Sequence, residues 1–128
     1  MEDQKYKLLI ADDEPDIREL YQLKFENETS FNIVFAKDGE EAVNLTLQEK
    51  PDAILLDIMM PKKSGMEVLK ELKSNPNSWE VPIIILTGLP HEAMKEEALK
   101  LGAASYLIKS DVTPKEVIDI LREELEKR

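Results

Sequence analysis

The stretch Ala53-Ile54-Leu55-Leu56-Asp57-Ile58-Met59-Met60-Pro61 constrains the fold more than any other part of the chain. Four consecutive apolar residues, preceded by Pro51-Asp52, have the pattern of a strand buried on both faces. Strands of that kind belong to parallel sheets covered by helices on each side. The run ends on a carboxylate, and the chain turns soon afterwards at Pro61. In an open parallel sheet, ligands bind in the crevice outside the carboxyl ends of the strands. Asp57 is therefore expected there, on a rigid support and partly shielded from water.

The flanking sequence repeats the theme. Residues 7–11 form a short apolar strand that stops at Asp12-Asp13-Glu14-Pro15. Asp13 is placed to cap the following helix, with Pro15 in its first turn. That helix runs to about Asn27, and Ile17, Leu20, Tyr21, Leu23 and Phe25 cover roughly 200° of its wheel, against the ~100° that a core-facing stripe needs. The surplus suggests that part of the helix meets a partner. Residues 31–36 suit an edge strand, and Asp38 with Glu41 gives a capping box for a helix reaching about Lys50. Ser64 and Glu67 form a second capping box, ahead of Gly65, Val68, Leu69 and Leu72 at helical spacing, and Ser74-Asn75-Pro76-Asn77 ends that helix. Ile83-Ile84-Ile85-Leu86 is another doubly buried strand, running into Thr87-Gly88. Met94, Ala98 and Leu101 mark a fourth helix that stops at Gly102. Residues 105–108 form the last strand and lead to Lys109. Thr113 and Glu116 make a third capping box, with Pro114 at N1, for a helix lined by Val117, Ile120, Leu121 and Leu125.

Five short strands alternating with five helices require a parallel, right-handed, doubly wound α/β sheet. The expected strand order is 2-1-3-4-5, flavodoxin-like, with three helices on one face and two on the other. The 128 residues are read as one domain, 1–128, large enough to bury a core without disulfides, and the chain has no cysteine. A formal net charge of −10 argues against unaided binding of nucleic acid or anionic membrane. There is no membrane-span-length apolar run and no signal-peptide pattern, so a soluble, cytoplasmic location is expected.

In this topology the residues at the strand ends share one edge. The first strand ends in Asp12-Asp13, the third in Asp57, the fourth in Thr87 and the fifth in Lys109. Each alone has an ordinary structural explanation. Together they crowd three carboxylates, which repel and resist ionising unless a cation holds them. An all-oxygen set without His or Cys favours Mg²⁺ or another hard ion. A cation, a lysine and a threonine hydroxyl around a carboxylate describe a phosphoryl-transfer site, in which the carboxylate attacks in line.

The residues that assemble this edge resemble those of response-regulator receiver domains, over positions 5–127. The motifs are Ile10-Ala11-Asp12-Asp13-Glu14, Asp57-Ile58-Met59-Met60-Pro61 with Gly65 eight residues past Asp57, Leu86-Thr87-Gly88, and Leu101-Gly102-Ala103-Ala104-Ser105-Tyr106-Leu107-Ile108-Lys109. The single-domain chemotaxis regulators are of this kind. The resemblance implies that Asp57 accepts a phosphoryl group from a phosphohistidine on a sensor histidine kinase or phosphotransfer protein, or from small acyl phosphates. Asp12, Asp13, Asp57 and the Met59 backbone carbonyl would bind Mg²⁺. Lys109 would pair with the acids and then with the phosphoryl oxygens, Thr87 would turn toward the phosphoryl group, and Tyr106 would follow inward. That shift would reshape the face formed by the fourth helix, last strand and last helix, to control a downstream protein. Such a chain is not an enzyme beyond catalysing its own phosphorylation and dephosphorylation.

Several further expectations follow from the residues. Tyr106 also fits simple packing, as does Trp79. His91, the single histidine, begins the fourth helix on an exposed turn and lacks a second ligand for a metal. Glu123, Glu124 and Glu126 form a solvated face. Ile17 and Leu20 are the candidates for docking the phosphodonor protein. Ser110 follows Lys109 where receivers commonly have a proline joined by a cis bond, so a trans peptide is expected. With no output domain after the last helix, signalling is expected to pass through a partner or a kinase relay. Of the rival readings, a haloacid-dehalogenase-type phosphatase would need an Asp where Met59 stands. A flavodoxin-like nucleotide binder would need a Gly- or hydroxyl-rich loop in place of the acids after the first strand. A phosphorylation-independent pseudo-receiver would be expected to have lost part of the acid pair, the acceptor or the lysine, and all are present.

Overall fold

The computed structural model describes residues 5–28 and 30–127. The elements alternate strictly: β1 (Tyr6–Ala11), α1 (Pro15–Glu26), β2 (Phe31–Ala36), α2 (Gly39–Glu49), β3 (Ala53–Leu56), α3 (Gly65–Lys73), β4 (Ile83–Thr87), α4 (Glu92–Lys100), β5 (Ser105–Ile108) and α5 (Pro114–Glu126), with a 3₁₀ turn at Lys109–Asp111. The strands form one sheet in the order β2-β1-β3-β4-β5, and every pairing is parallel. The expected topology holds in full.

Alternation of side chains along each strand divides the interior into two cores. Leu9, Ala11, Ile54, Leu56, Ile83 and Ile85 face α2, α3 and α4, meeting Ala42, Val43, Val68, Leu69, Leu72 and Ala98. Leu8, Ile10, Ala53, Leu55, Ile84 and Leu86 face α1 and α5, meeting Tyr21, Phe25, Val117, Ile118, Leu121 and Leu125. This is the three-and-two division of helices that the sequence implied. Burial on both faces explains why β3 and the 83–86 part of β4 are uniformly apolar.

The capping signals hold with two amendments. The boxes at Ser64/Glu67 and Thr113/Glu116 form with both reciprocal hydrogen bonds. Asp38 accepts from Glu41 N at 2.7 Å, but the Glu41 carboxylate takes the Lys37 backbone N–H instead of that of Asp38. The larger amendment is at α1. Its N-cap is Glu14, with no side-chain cap bond, so Asp13 is not the cap. The Asp12 carboxylate takes the Glu14 N–H at 2.9 Å, which turns the chain one residue earlier and leaves Asp13 outside the helix.

Trp79 and Ile118 depart from the sequence reading. Trp79 is 53% exposed and lies outside both cores. The loop before β4 is anchored instead by buried Ser78, which donates to the Leu72 carbonyl at 2.7 Å, and by Lys73, which donates to the carbonyls of Trp79 and Val81 at 2.9 and 2.8 Å. Ile118, unremarked in the sequence, is buried in α5, while Ile120 is half-buried. On α1, Tyr21 and Phe25 are buried and Ile17 packs against the core, whereas Leu20 and Leu23 are 39% and 56% exposed. The surplus apolar arc is therefore an outward face. An edge-on contact of Phe25 with Phe31 at 5.1 Å ties α1 to β2, and Phe31 in turn lies 5.9 Å from Tyr6 of β1.

Candidate functional site

The strand ends open onto a cleft of about 330 Å³ lined by Asp13, Glu14, Asp57, Met59, Thr87, Gly88, Leu89 and Lys109. Asp57 stands at its floor, 4% exposed. Its backbone N–H extends the ladder to the Ala11 carbonyl at 2.9 Å, which holds the residue in the sheet although β3 has ended. One carboxylate oxygen accepts from the backbone N–H groups of Ile58 at 2.7 Å and Met59 at 3.4 Å. The other faces Lys109 Nζ at 3.2 Å. The carboxylate is thus oriented by the chain that follows it.

That path requires a glycine at 65. Gly65 N donates to the Ile58 carbonyl at 2.8 Å, and a Cβ at Gly65 would sit 2.1 Å from the Asp57 carbonyl oxygen. The motif spacing of eight residues is the close approach of α3 to the acceptor strand. Gly88 differs: it has open space around it. Its lack of a side chain leaves the mouth of the cleft clear.

Asp12, Asp13 and Asp57 each present a carboxylate oxygen within 4.8 Å of the others. Asp12 is buried, and its carboxyl is held above the usual carboxylate range, first by that burial and further by the charge of Asp57, against the opposing bonds from Lys109 and the Glu14 N–H. A buried acid with a raised value in the fold binds its proton more tightly than in the unfolded chain. It therefore costs stability as pH rises through its range, and the cost persists at neutral pH. Asp13 is exposed at the cleft edge. Hard oxygen donors this close, with one open side, suit a divalent cation such as Mg²⁺.

Lys109 answers part of the charge. Its ammonium lies 2.8 Å from Asp12, 2.9 Å from Glu14 and 3.2 Å from Asp57. Burial alone would lower its proton affinity, but the hydrogen bonds to Asp12 and Glu14 and the nearby charges outweigh burial and raise it well above the ordinary lysine range. It stays protonated at any physiological pH. Glu14 was not foreseen as a site residue. Its position directly after the acid pair, within the motif at residues 10–14, is the signal that the sequence holds for it. Arg18 was likewise missed: its guanidinium donates to the Asp12 carbonyl at 2.7 Å and fixes the turn after β1.

The remaining site residues divide between cleft and flank. Thr87 is fully buried at the end of β4, and its hydroxyl oxygen accepts from the Leu89 N–H at 3.4 Å. Tyr106 is 8% exposed and turned inward, its hydroxyl donating to the Leu89 carbonyl at 2.8 Å. It links β5 to the segment after Thr87. His91 caps α4, its ring Nδ1 accepting from the Met94 N–H at 3.2 Å. No cis peptide occurs among the described residues, so Lys109-Ser110 is trans, as expected. A buried carboxylate beside a fixed ammonium, a hydroxyl and two further acids is an arrangement able to accept an electrophile that carries several anionic oxygens.

Comparison with known proteins gives one answer. A family model described as a response regulator receiver domain matches residues 8–122. The probable transcriptional regulator ycf27 of Guillardia theta is 43% identical over 113 residues, 88% of this chain and 42% of that protein. The chain thus spans less than half the length of this relative. Among solved structures, the receiver domain of the Francisella response regulator 1452 superposes with a TM-score of 0.86 at 33% identity, covering 96% of this chain and 98% of that one. The BeF3-activated N-terminal receiver domain of Klebsiella pneumoniae RstA gives a TM-score of 0.82 at 30% identity, covering 93% and 97%.

Proposed function

The chain belongs to the response-regulator receiver family, and from that premise we propose that Asp57 is the phosphoacceptor of a two-component relay, fed by a sensor histidine kinase or a phosphotransfer protein. The observation that carries the reading is the pairing of Asp57 with Lys109 at 3.2 Å, in a cleft that also holds Asp12 and Asp13. The bonds from Ile58 and Met59 occupy one Asp57 oxygen, so the oxygen facing Lys109 is the nucleophile. It forms a bond to phosphorus while the bond from phosphorus to the donor's imidazole nitrogen breaks, and the electron pair leaves with that nitrogen. Lys109 stabilises the charge on the phosphoryl oxygens. Asp12, Asp13, Asp57 and the Met59 backbone carbonyl would hold Mg²⁺, which supplies further charge neutralisation.

Receiver domains are signalling modules rather than enzymes of an external substrate. In this chain, Thr87 is the residue that senses the phosphoryl group, and the Tyr106 bond to Leu89 couples it to β5. Movement along that link alters the surface formed by α4, β5 and α5, where a downstream protein binds. The chain acts in the cytoplasm, and 1–128 works as one receiver unit; no described helix is long and apolar enough to cross a membrane. Direct nucleic-acid contact by this acidic unit is disfavoured at a net charge of −10.

The test is labelling by a small acyl phosphate in the presence of Mg²⁺. Label is expected on the wild type and lost in Asp57→Asn; label retained in the variant, or none on the wild type, would overturn the assignment.

Docking of the phosphodonor protein falls to the outward face of α1, near Ile17 and Leu20. The exposure of Leu20 and Leu23 supports this, and the packing of Ile17 against the core makes Leu20 the cleaner probe. Leu20→Gln is expected to slow transfer from a phosphorylated kinase domain roughly tenfold or more, as loss of an interface anchor does. Labelling by a small acyl phosphate should be unchanged, and equal loss with both donors would place the damage in the fold instead.

A further inference from the structure

Glu14 has a contact that the phosphoacceptor chemistry does not require. Its carboxylate lies 2.9 Å from the Lys109 ammonium, although the two residues are ninety-five positions apart. An ammonium has three donors. Those of Lys109 are all engaged, by Asp12 at 2.8 Å, Glu14 at 2.9 Å and Asp57 at 3.2 Å. Phosphorylation of the Asp57 oxygen that faces Lys109 frees that one donor for a phosphoryl oxygen, and a second contact to the new anionic oxygens requires a further donor from Asp12 or Glu14. Asp12 is buried and hydrogen-bonded on its other oxygen, so it is poorly placed to be released. Glu14 is 59% exposed at the rim, and water can replace its partner at little cost.

We infer that Glu14 is a positioning residue that restrains Lys109 in the unphosphorylated form and must release it when a phosphoryl group arrives. This deepens the phosphoacceptor reading and rests on it. The physical consequence is a bias. An exposed ion pair present in one state and opened in the other favours the first by a modest amount, which corresponds to about a two- to fivefold change in an equilibrium constant. Glu14 would then raise the threshold for phosphorylation in this chain. A direct effect, in which the Glu14 charge simply repels an anionic group, is the competing explanation. Reach separates the two. Aspartate keeps the charge near the rim but is one methylene shorter, so it loses the contact at 2.9 Å.

The experiment is calorimetric titration of the whole chain with beryllofluoride, a tetrahedral phosphoryl mimic, at saturating Mg²⁺. Wild type, Glu14→Gln and Glu14→Asp are compared, with thermal melts of each. Both variants are expected to bind the mimic two- to fivefold more tightly than wild type. A variant with a merely damaged fold would bind more weakly. Unchanged or weaker binding in Glu14→Gln overturns the inference, and so does tightening in Glu14→Gln alone, which assigns the effect to direct repulsion. Labelling of the wild type by a small acyl phosphate, with Asp57→Asn as control, runs alongside. If wild type takes no label, the phosphoacceptor reading itself fails. If it does label and the mimic binds all three proteins alike, only the role of Glu14 fails.

Discussion

Asp13→Ala is expected to raise the melting temperature of the metal-free protein while abolishing its phosphorylation. The three carboxylates of Asp12, Asp13 and Asp57 approach within 4.8 Å, and the ion pairs of Lys109 go to Asp12, Glu14 and Asp57. Two like charges at that distance repel by roughly 1 kcal/mol even in a water-like dielectric, and by more where the surroundings are less polar. From sequence, the opposing effect was the loss of a helix cap, costing about 0.5–2 kcal/mol. That cost does not arise, because Glu14 occupies the N-cap position and no side chain caps the helix. Relief of repulsion is left unopposed, and a gain of roughly 2–5 °C follows for a domain of this size. In the wild type, Mg²⁺ at about ten times its dissociation constant should stabilise by ~1.4 kcal/mol. The variant should lose that response together with the phosphoryl label. Scanning calorimetry with and without Mg²⁺ measures both, and an Asp13→Ala protein that melts below wild type without metal would contradict the account.

The second large effect concerns how long a phosphoryl group would stay on the proposed acceptor Asp57. An acyl phosphate is lost when water attacks phosphorus in line, opposite the carboxylate it leaves. Met59 and Leu89 both line the cleft beside Asp57, and Met59 is 61% exposed at its mouth. The Leu89 side chain has no hydrogen-bonding group and the Met59 sulfur is only a weak acceptor, while both have the bulk to hinder a water. The polar groups of Leu89 within reach belong to its backbone: its N–H is given to Thr87 and its carbonyl to Tyr106. Positioning of the attacking water is a large part of such a rate. A long-lived phosphorylated form is therefore expected, suited to slow regulation. Met59→Asn combined with Leu89→Gln should shorten its lifetime by on the order of tenfold to a hundredfold. The measurement is decay of label on purified protein with Mg²⁺ and no kinase or phosphatase. Decay within seconds in the wild type, or an unchanged rate in the double variant, would sink the idea.

Legibility differed sharply between the core and the rim of the site. The strand-end residues Asp12, Asp57, Thr87 and Lys109 could be placed from sequence because each terminates an apolar run, and a parallel sheet brings such ends to one edge. The misreadings lie where local and tertiary partners compete for one side chain. Asp13 has the chemistry of a cap, yet the Asp12 carboxylate takes the Glu14 N–H and moves the helix start past it. Trp79 has the composition of a packing residue, yet Ser78 and Lys73 anchor its loop and leave the ring outside. Glu14 looks like part of a helix start until Lys109 arrives from the far end of the chain.

What the sequence by itself determined are the properties with a period or a local rule. The apolar runs Ala53–Leu56 and 83–86 with the alternation of strands and helices specified a doubly covered parallel sheet, for which β2-β1-β3-β4-β5 is the compact order that the structure adopts. The serine and threonine capping boxes set the starts of α3 and α5. The eight-residue spacing from Asp57 to Gly65 is legible only as a motif, and its reason comes from the structure, where the Asp57 carbonyl lies where a Cβ would stand. Tertiary structure alone decided which acids share the lysine, which apolar residues of α1 face outward, and that Tyr106 reaches the Leu89 carbonyl. Those outcomes depend on distances of about 3 Å between segments far apart in the chain, and no sequence period encodes such a distance. They are settled only when packing of the two cores brings the strand ends together.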